Sequence, residues 1–238
     1  MIENFQFLLS YSFVVAVLLY SVKENLKLEK EVIIASIRAL VQLLLLGFSL
    51  HYIFSLESIY SIVAVLFGMT LFASYEAQRR VGTFLSAFIS ITASFFPILF
   101  SLVLFGIIEL KVEQLIPIGG MLIGNSMSNY ALAVERVKRE VELSKETIEG
   151  YIALGATYKE AVHQLKVWAI KTSLIPVINS LRTVGVVLIP GITTGMIIAG
   201  ADPLEAVSFQ LVVMYMILSV SLVTSIVGVS IYLKGLSK

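Results

Sequence analysis

The polar side chains that could take part in binding or transport are mostly uncharged amides within apolar segments of the sequence. Asn125 and Asn129 are four residues apart, and Asn179 precedes Arg182 by three residues. Each pair would lie on one face of a helix. Amides in an apolar helix either hydrogen-bond to neighbouring helices or line a polar path. We therefore predict that these four residues line a path or set a gate.

A third pair, Arg38 and Gln42, lies inside another apolar run at a spacing of four residues. An Arg near the centre of a membrane helix costs about 2.5–3.5 kcal/mol on insertion scales, so it should face protein or water. It could also extend to the lipid headgroups. A structural anchor and a place on the path both remain open for this pair.

Several kinds of chemistry are excluded by what the sequence lacks. It has no Cys, which excludes disulfides, thiolate metal sites and a Cys nucleophile. It has no GxxxxGK[ST] motif to hold nucleotide phosphates. Its net charge of +1 favours no nucleic-acid partner. We expect neither an enzyme nor a bound cofactor in this chain.

The elements that must position these side chains are seven long apolar runs. Hydrophobic residues make up 58% of the chain and charged residues 14%, against about 25% charged in soluble domains. The runs are 5–22, 32–53, 59–75, 84–108, 115–133, 172–199 and 206–233. About 20 apolar residues span a bilayer as a helix. The sequence predicts an all-α, polytopic integral membrane protein with seven transmembrane helices, forming a single domain over 1–238.

Basic residues are distributed unevenly among the connections between these runs. Of the 17 Lys and Arg residues, 14 lie on alternate connections, two lie inside the runs, and Lys111 alone lies on the opposite set. Cytoplasmic loops carry the excess of Lys and Arg. We therefore expect the N-terminus outside and the C-terminus in the cytoplasm.

The largest region outside the runs is 134–171, which the charge rule places in the cytoplasm as an arm. Apolar residues recur along it at helical spacing, at Val134, Val137, Val141, Ile148 and Ile152. Gly150 and Gly155 are expected to interrupt this helix. The arm is either a solvated connector or a docking site for a cytoplasmic partner.

Small and kinking residues are concentrated in three of the runs. We expect helix packing or kinks at Pro97, Gly120, Gly124, Pro176, Gly185, Pro190 and Gly191. The sixth run holds four of them, so an unbroken helix is not expected there. Broken helices at membrane depth are tolerated where protein or a wet cavity meets the freed backbone groups.

An ordered set of short segments gives the chain a family resemblance. They include Arg38-Ala-Leu-Val-Gln-Leu43, Ile116-Pro-Ile-Gly-Gly-Met121, Gly124-Asn-Ser-Met127, Ser173-Leu-Ile-Pro176 and Gly200-Ala-Asp-Pro203. Together they cover most of the chain, which resembles the FetB-type permeases. These are membrane subunits of ATP-binding-cassette exporters linked to iron efflux and metal tolerance, with plant relatives in aluminium tolerance.

The resemblance implies a homodimer of permeases in the plasma or inner membrane, driven by a separate cytoplasmic ATPase subunit. The cargo it implies is iron or another metal ion moved out of the cytoplasm. From the residues alone, a self-contained secondary transporter or channel remains an alternative. A seven-span receptor is a further alternative.

Within the arm, one segment is similar to the start of the EAA loop of bacterial ATP-binding-cassette permeases. In those proteins this loop docks on the ATPase. The resemblance implies docking contacts at Glu149, Leu154, Gly155, Ala156 and Thr157. Gly150 and Tyr151 depart from the pattern, because they stand where two alanines would be.

The sixth run also departs from the family pattern, which commonly has Asp, two residues, then Lys. This chain has Asn179 and Arg182 there. The change removes the best hard-cation ligand at that position, and Arg donates from a fixed planar fork. The residues do not identify a metal ligand set.

Overall fold

The computed structural model describes residues 4–54 and 58–236, with side chains for 11–49, 52 and 58–236. This part of the chain contains helices and no strand, which confirms the predicted all-α class. The helices are α1 Asn4–Lys23, α2 Glu29–Phe54, α3 Ile59–Arg80, α4 Phe84–Leu104, α5 Val112–Leu143, α6 Lys145–Ala153, α7 Tyr158–Ala161, α8 His163–Ser173, α9 Ile175–Thr183, α10 Gly191–Ile198 and α11 Pro203–Leu236.

Four helical stretches within the described ranges are long and apolar enough to cross a membrane. They are Glu29–Ser49, Ile59–Arg80, Phe84–Leu104 and Pro203–Leu236. A shorter apolar stretch covers Tyr11–Lys23. Large apolar side chains on α3 and α4 are exposed, for example Phe67 and Phe100, as lipid contact requires. These features indicate an integral membrane protein, while the number seven and the orientation stay predictions.

The chain divides into two compact units, and the first unit is residues 1–57. It consists of α1 and α2, which contact each other. The hydroxyl of Ser21 donates to the Glu29 carboxylate at 2.7 Å and accepts from the Leu28 backbone N–H at 3.2 Å. These bonds hold the short connection between the two helices.

The second unit, residues 58–238, is organised around α5, which packs against α3, α4, α8 and α11. On the side facing α3, a Cβ at Gly120 would lie 2.7 Å from the end of the Met69 side chain, which would have to shift. A Cβ at Gly124 would meet nothing within 4 Å. One face of α5 is therefore tightly packed, and the face near Gly124 is open.

Buried serines join helices of the second unit. Ser94 of α4 and Ser126 of α5 have their hydroxyl oxygens 2.9 Å apart, and Ser173 of α8 and Ser225 of α11 are 3.0 Å apart. Small side chains let the helix backbones approach, and their hydroxyls satisfy one another where water is absent. These pairs fix the packing of α5 and α11 against their neighbours.

The Tyr130 ring is enclosed by two glycines from other elements. Tyr130 is fully buried. A Cβ at Gly228 on α11 would lie 2.8 Å from its ring, and a Cβ at Gly82, which has φ +81°, would collide with its hydroxyl. Any larger residue at either glycine would displace the ring. The centre of α5 is thereby fixed between α11 and the connection that precedes α4.

Replacing Gly228 by Ala should destabilise the protein. The added methyl group overlaps the buried Tyr130 ring, and overpacking of this kind costs about 1–3 kcal/mol. Thermal unfolding in detergent should show a lower Tm than the parent chain. Gly68→Ala is the matched control, because its Cβ would meet nothing within 4 Å. Equal Tm values for the two variants would contradict the packing role of Gly228.

The sixth predicted run is interrupted, as its prolines and glycines indicate. Helix α9 ends at Thr183. The backbone carbonyl of Thr183 accepts hydrogen bonds from the N–H groups of residues 186, 187 and 188. Gly185 has φ +83° in this turn, and Pro190 is the N-cap of α10. Helix α4 continues through Pro97, and the kink expected there stays a prediction.

The arm begins as a direct extension of α5, which continues without a break to Leu143. The break comes at Ser144, and Gly150 lies inside α6, so the predicted interruption at Gly150 is wrong. The apolar face is also shorter than predicted: Ile148 is buried, but Ile152 is 44% exposed. Because the helix breaks at Ser144, the residues of α6 do not continue the face that a spacing of 3.6 residues per turn predicts from α5.

Candidate functional site

A cavity of about 680 Å³ lies in the second unit between α5, α8, α9, α10 and α11. Its polar lining consists of uncharged side chains from four helices: Asn125, Ser128, Asn129, Ser173, Ser180 and Gln210. Met121 and Met214 also line it. No charged side chain is among the lining residues that the structure describes. The cavity therefore offers neutral hydrogen-bonding groups and thioethers on an apolar background.

The two amides of α5 both line this cavity and have different supports. The Asn125 side chain donates to the backbone carbonyl of Met121 at 2.9 Å, within its own helix. The Asn129 side chain donates to Ser221 of α11 at 2.8 Å and to the Asn125 carbonyl at 3.2 Å. Asn129 thus also holds α5 to α11, whereas within the described part of the chain Asn125 makes no hydrogen bond to another helix.

Gln210 is a cavity residue that the sequence reasoning missed. It is buried on α11, and the Thr193 hydroxyl of α10 donates to its side-chain oxygen at 3.5 Å. It is the one amide in the apolar run 206–233. That isolation within an apolar run is the signal that could have identified it.

Two of the predicted path residues lie away from the cavity lining. Asn179 and Arg182 are exposed on α9, and the cavity is lined instead by Val177 and Ser180 of the same helix. Of the kink residues, Pro176, Pro190 and Gly191 line the cavity.

Arg38 and Gln42 belong to the first unit. On α2, Arg38 is half-buried and Gln42 is exposed. Their predicted place on a path stays a prediction.

The second candidate site is an exposed turn of the arm, residues 149–157, which we call the arm turn. Two backbone hydrogen bonds end α6. The Gly155 N–H donates to the Ile152 carbonyl at 2.9 Å, and the Ala156 N–H donates to the Tyr151 carbonyl at 3.0 Å. This is a Schellman motif, and Gly155 supplies the required left-handed φ of +97°.

A capping box follows directly and starts α7. The Thr157 N–H and hydroxyl donate to the Glu160 carboxylate at 2.8 and 2.6 Å, and the Glu160 N–H donates back to the Thr157 hydroxyl. These bonds hold the pKa of the Glu160 carboxyl below its ordinary value. The stabilisation is therefore present at neutral pH and is lost as pH falls through that lowered pKa.

The arm turn presents apolar side chains on this rigid backbone. Leu154 is 88% exposed and Tyr151 is 53% exposed, and Glu149 and Thr157 are also at the surface. The Schellman motif and the capping box thus fix the backbone around this exposed leucine. All five residues predicted for docking thus lie in one short, preorganised and accessible segment.

Comparison with known proteins identifies the family. The model of UPF0014, described as an uncharacterised protein family, matches residues 4–236. The chain belongs to the UPF0014 family.

Several curated relatives of this UPF0014 chain are membrane proteins. It is 36% identical to the probable iron export permease protein FetB of Escherichia coli over 95% of this chain and 89% of that protein. It is 35% identical to UPF0014 membrane protein YjkA of Bacillus subtilis over 92% of this chain and 89% of that protein. It is 36% identical to protein ALUMINUM SENSITIVE 3 of Arabidopsis thaliana over 90% of this chain and 80% of that protein. No solved structure matches the chain.

Within its described residues, this UPF0014 protein has no cluster of three His, Asp or Glu side chains that could hold a metal ion. The cavity donors are amide and hydroxyl oxygens and two thioethers. Neutral oxygens coordinate hard cations and thioethers coordinate soft ones, each weakly without an anionic partner. Such a donor set suits transient contact with a solute better than permanent binding.

Proposed function

We propose that the chain is the membrane subunit of an ATP-binding-cassette exporter and works as a pair of permeases with two ATPase subunits. The observation that carries this proposal is the continuity of α5 between the two candidate sites. Helix α5 carries Asn125 and Asn129 in the cavity and continues to Leu143, where the arm turns into α6. At 1.5 Å per residue, about 21 Å of unbroken helix separates Asn129 from Leu143.

The arm is packed firmly enough to transmit movement. Ile148 of α6 and Val162 beside α8 share a buried cluster with Val137 of α5 and with Val229 and Leu233 of α11. A force on the arm turn would therefore act on α5 and α11, two of the helices that line the cavity. This supports a mechanism in which ATPase closure changes the shape of the cavity.

The proposed topology follows the charge distribution. In it the chain has seven spans, with the N-terminus outside and the arm and C-terminus in the cytoplasm, in a plasma or inner membrane. Helix α5 is about 48 Å long by its 32 residues, and a bilayer core is about 30 Å thick. The excess length agrees with a helix that crosses the membrane and continues into the cytoplasmic arm.

For the cargo we propose iron or another metal ion, in keeping with the name of the FetB relative. A cation or its complex would pass through neutral oxygen and thioether donors rather than a carboxylate cage. Weak ligands favour release on the far side, since a tight site would retain the ion.

The test is co-purification of the tagged chain from its own cells in mild detergent. The expected result is recovery of a stoichiometric subunit that mass spectrometry identifies as an ATPase carrying GxxxxGK[ST]. Reconstitution of the two together should give ATP-dependent cargo movement. Recovery of the chain alone, with no ATPase and no ATP dependence, would contradict the proposal.

A secondary transporter or channel is a second candidate, favoured by the interruption between α9 and α10 beside the cavity. Interrupted helices build the substrate sites of several secondary transporters. In that case the reconstituted chain alone would move cargo down an ion gradient. The same liposomes, with and without ATPase and ATP, distinguish the two functions.

A further inference from the structure

We propose that a second cavity, at the base of the arm, binds the phosphate group of an anionic phospholipid. It has a volume of about 380 Å³ and lies between α7, α8 and the C-terminal end of α11. Its basic lining residues are Lys159, His163, Lys166 and Lys234. This site is separate from the polar cavity and from the arm turn, and it does not depend on the transported cargo.

The charge of this cavity is of one sign. Three Lys side chains and one His line it, and no acidic side chain is among its described lining residues. The neighbouring carboxylate of α7, Glu160, is engaged by the N–H and hydroxyl of Thr157. Lys159 and Lys166 bring two positive charges to this small cavity, and a bound anion would lower their mutual repulsion.

Hydroxyl groups and an apolar interior complete the site. Ser230 and Tyr158 line it together with buried Val162 and Leu233. Burial raises the pKa of the Tyr158 phenol, so the hydroxyl stays protonated and can donate to a phosphate oxygen. Ammonium and hydroxyl donors over an apolar floor match a headgroup that is anionic at one end and attached to hydrocarbon at the other.

The position of the cavity along α11 favours a lipid as the source of the phosphate. Residues 206–233 contain no charged side chain, and Lys234 is the first one after this run. The end of such a run marks the membrane–water interface. Basic pockets between helices at this level bind anionic headgroups.

The test uses the purified full-length chain in neutral detergent, with short-chain phosphatidylglycerol, short-chain phosphatidylcholine or inorganic phosphate added at equal concentrations. We expect phosphatidylglycerol to raise Tm in a saturable manner and phosphatidylcholine to leave it unchanged. If inorganic phosphate raises Tm as much as phosphatidylglycerol does, the cavity is a phosphate site whose ligand is a soluble phosphate. No response to either anion would overturn the proposal.

The variant that tests the residues is Lys159→Gln combined with Lys166→Gln. Each basic residue near an anionic surface contributes about fivefold to affinity, so the double variant should bind phosphatidylglycerol about 30-fold more weakly. The matched control is Lys138→Gln with Lys145→Gln, two exposed arm lysines outside the cavity. Lys166→Arg should retain binding. Equal lipid affinity in the parent and the cavity double variant would also overturn the proposal.

Discussion

Replacing Leu154 by Asp should abolish co-purification of the proposed ATPase subunit while leaving the chain inserted in the membrane. Leu154 is 88% exposed at the arm turn, so the change removes no packing within the chain. Docking would bury this side chain in a groove, and truncating a central contact of an interface costs about 2 kcal/mol or more, which is about 30-fold in affinity. A buried, unpaired carboxylate adds a desolvation cost.

The matched control is Leu143→Asp, the same change at another exposed arm leucine, which lies at the end of α5 outside the arm turn. The measurements are the amount of ATPase recovered per permease and the rate of ATP-dependent export. Normal recovery with Leu154→Asp, or equal loss with both variants, would contradict a specific docking role for the arm turn.

Replacing Asn125 by Leu should slow export about tenfold while ATPase docking remains normal. Asn125 lines the polar cavity, and among the residues that the structure describes its side chain bonds only to the Met121 carbonyl of its own helix. Leu has a similar volume, so the cavity keeps its size and loses a hydrogen-bonding group. One hydrogen bond to a passing solute contributes up to about 1.4 kcal/mol, which corresponds to a factor of about ten.

Asn179→Leu is the matched control, because Asn179 is exposed on α9 and lies outside the cavity lining. Export of radioactive iron, the proposed cargo, from cells co-expressing the proposed ATPase subunit measures both variants. A large defect with Asn179→Leu and none with Asn125→Leu would show that the path runs elsewhere. Asn129 is avoided here because its bond to Ser221 also holds α5 to α11.

The arm illustrates how far the sequence predicts local structure. The left-handed turn at Gly155 follows from residue type, since glycine adopts positive φ at low cost. The break at Ser144 does not, because serine carries no comparable backbone preference. As a result the sequence places Ile152 on the buried face, whereas the structure exposes it.

The sequence also predicts only some of the residues that line the cavity, because the lining depends on how the helices pack. The spacing of Asn125 and Asn129 predicts their shared face, and both line the cavity. Asn179 and Arg182 also share a face, but α9 has only nine residues, and its orientation depends on turns at both ends. Which face of so short a helix meets the cavity depends on tertiary contacts that periodicity does not contain.

The enclosure of Tyr130 by Gly82 and Gly228 determines how α5 can move. Because the ring is enclosed near the midpoint of α5, sliding of the helix along its axis is opposed, and in the proposed mechanism the helix would tilt with Tyr130 as its fulcrum. Leu143 lies about 20 Å from this fulcrum and Asn125 about 8 Å on the other side. A displacement of Leu143 would then reach Asn125 reversed in direction and reduced to roughly two fifths.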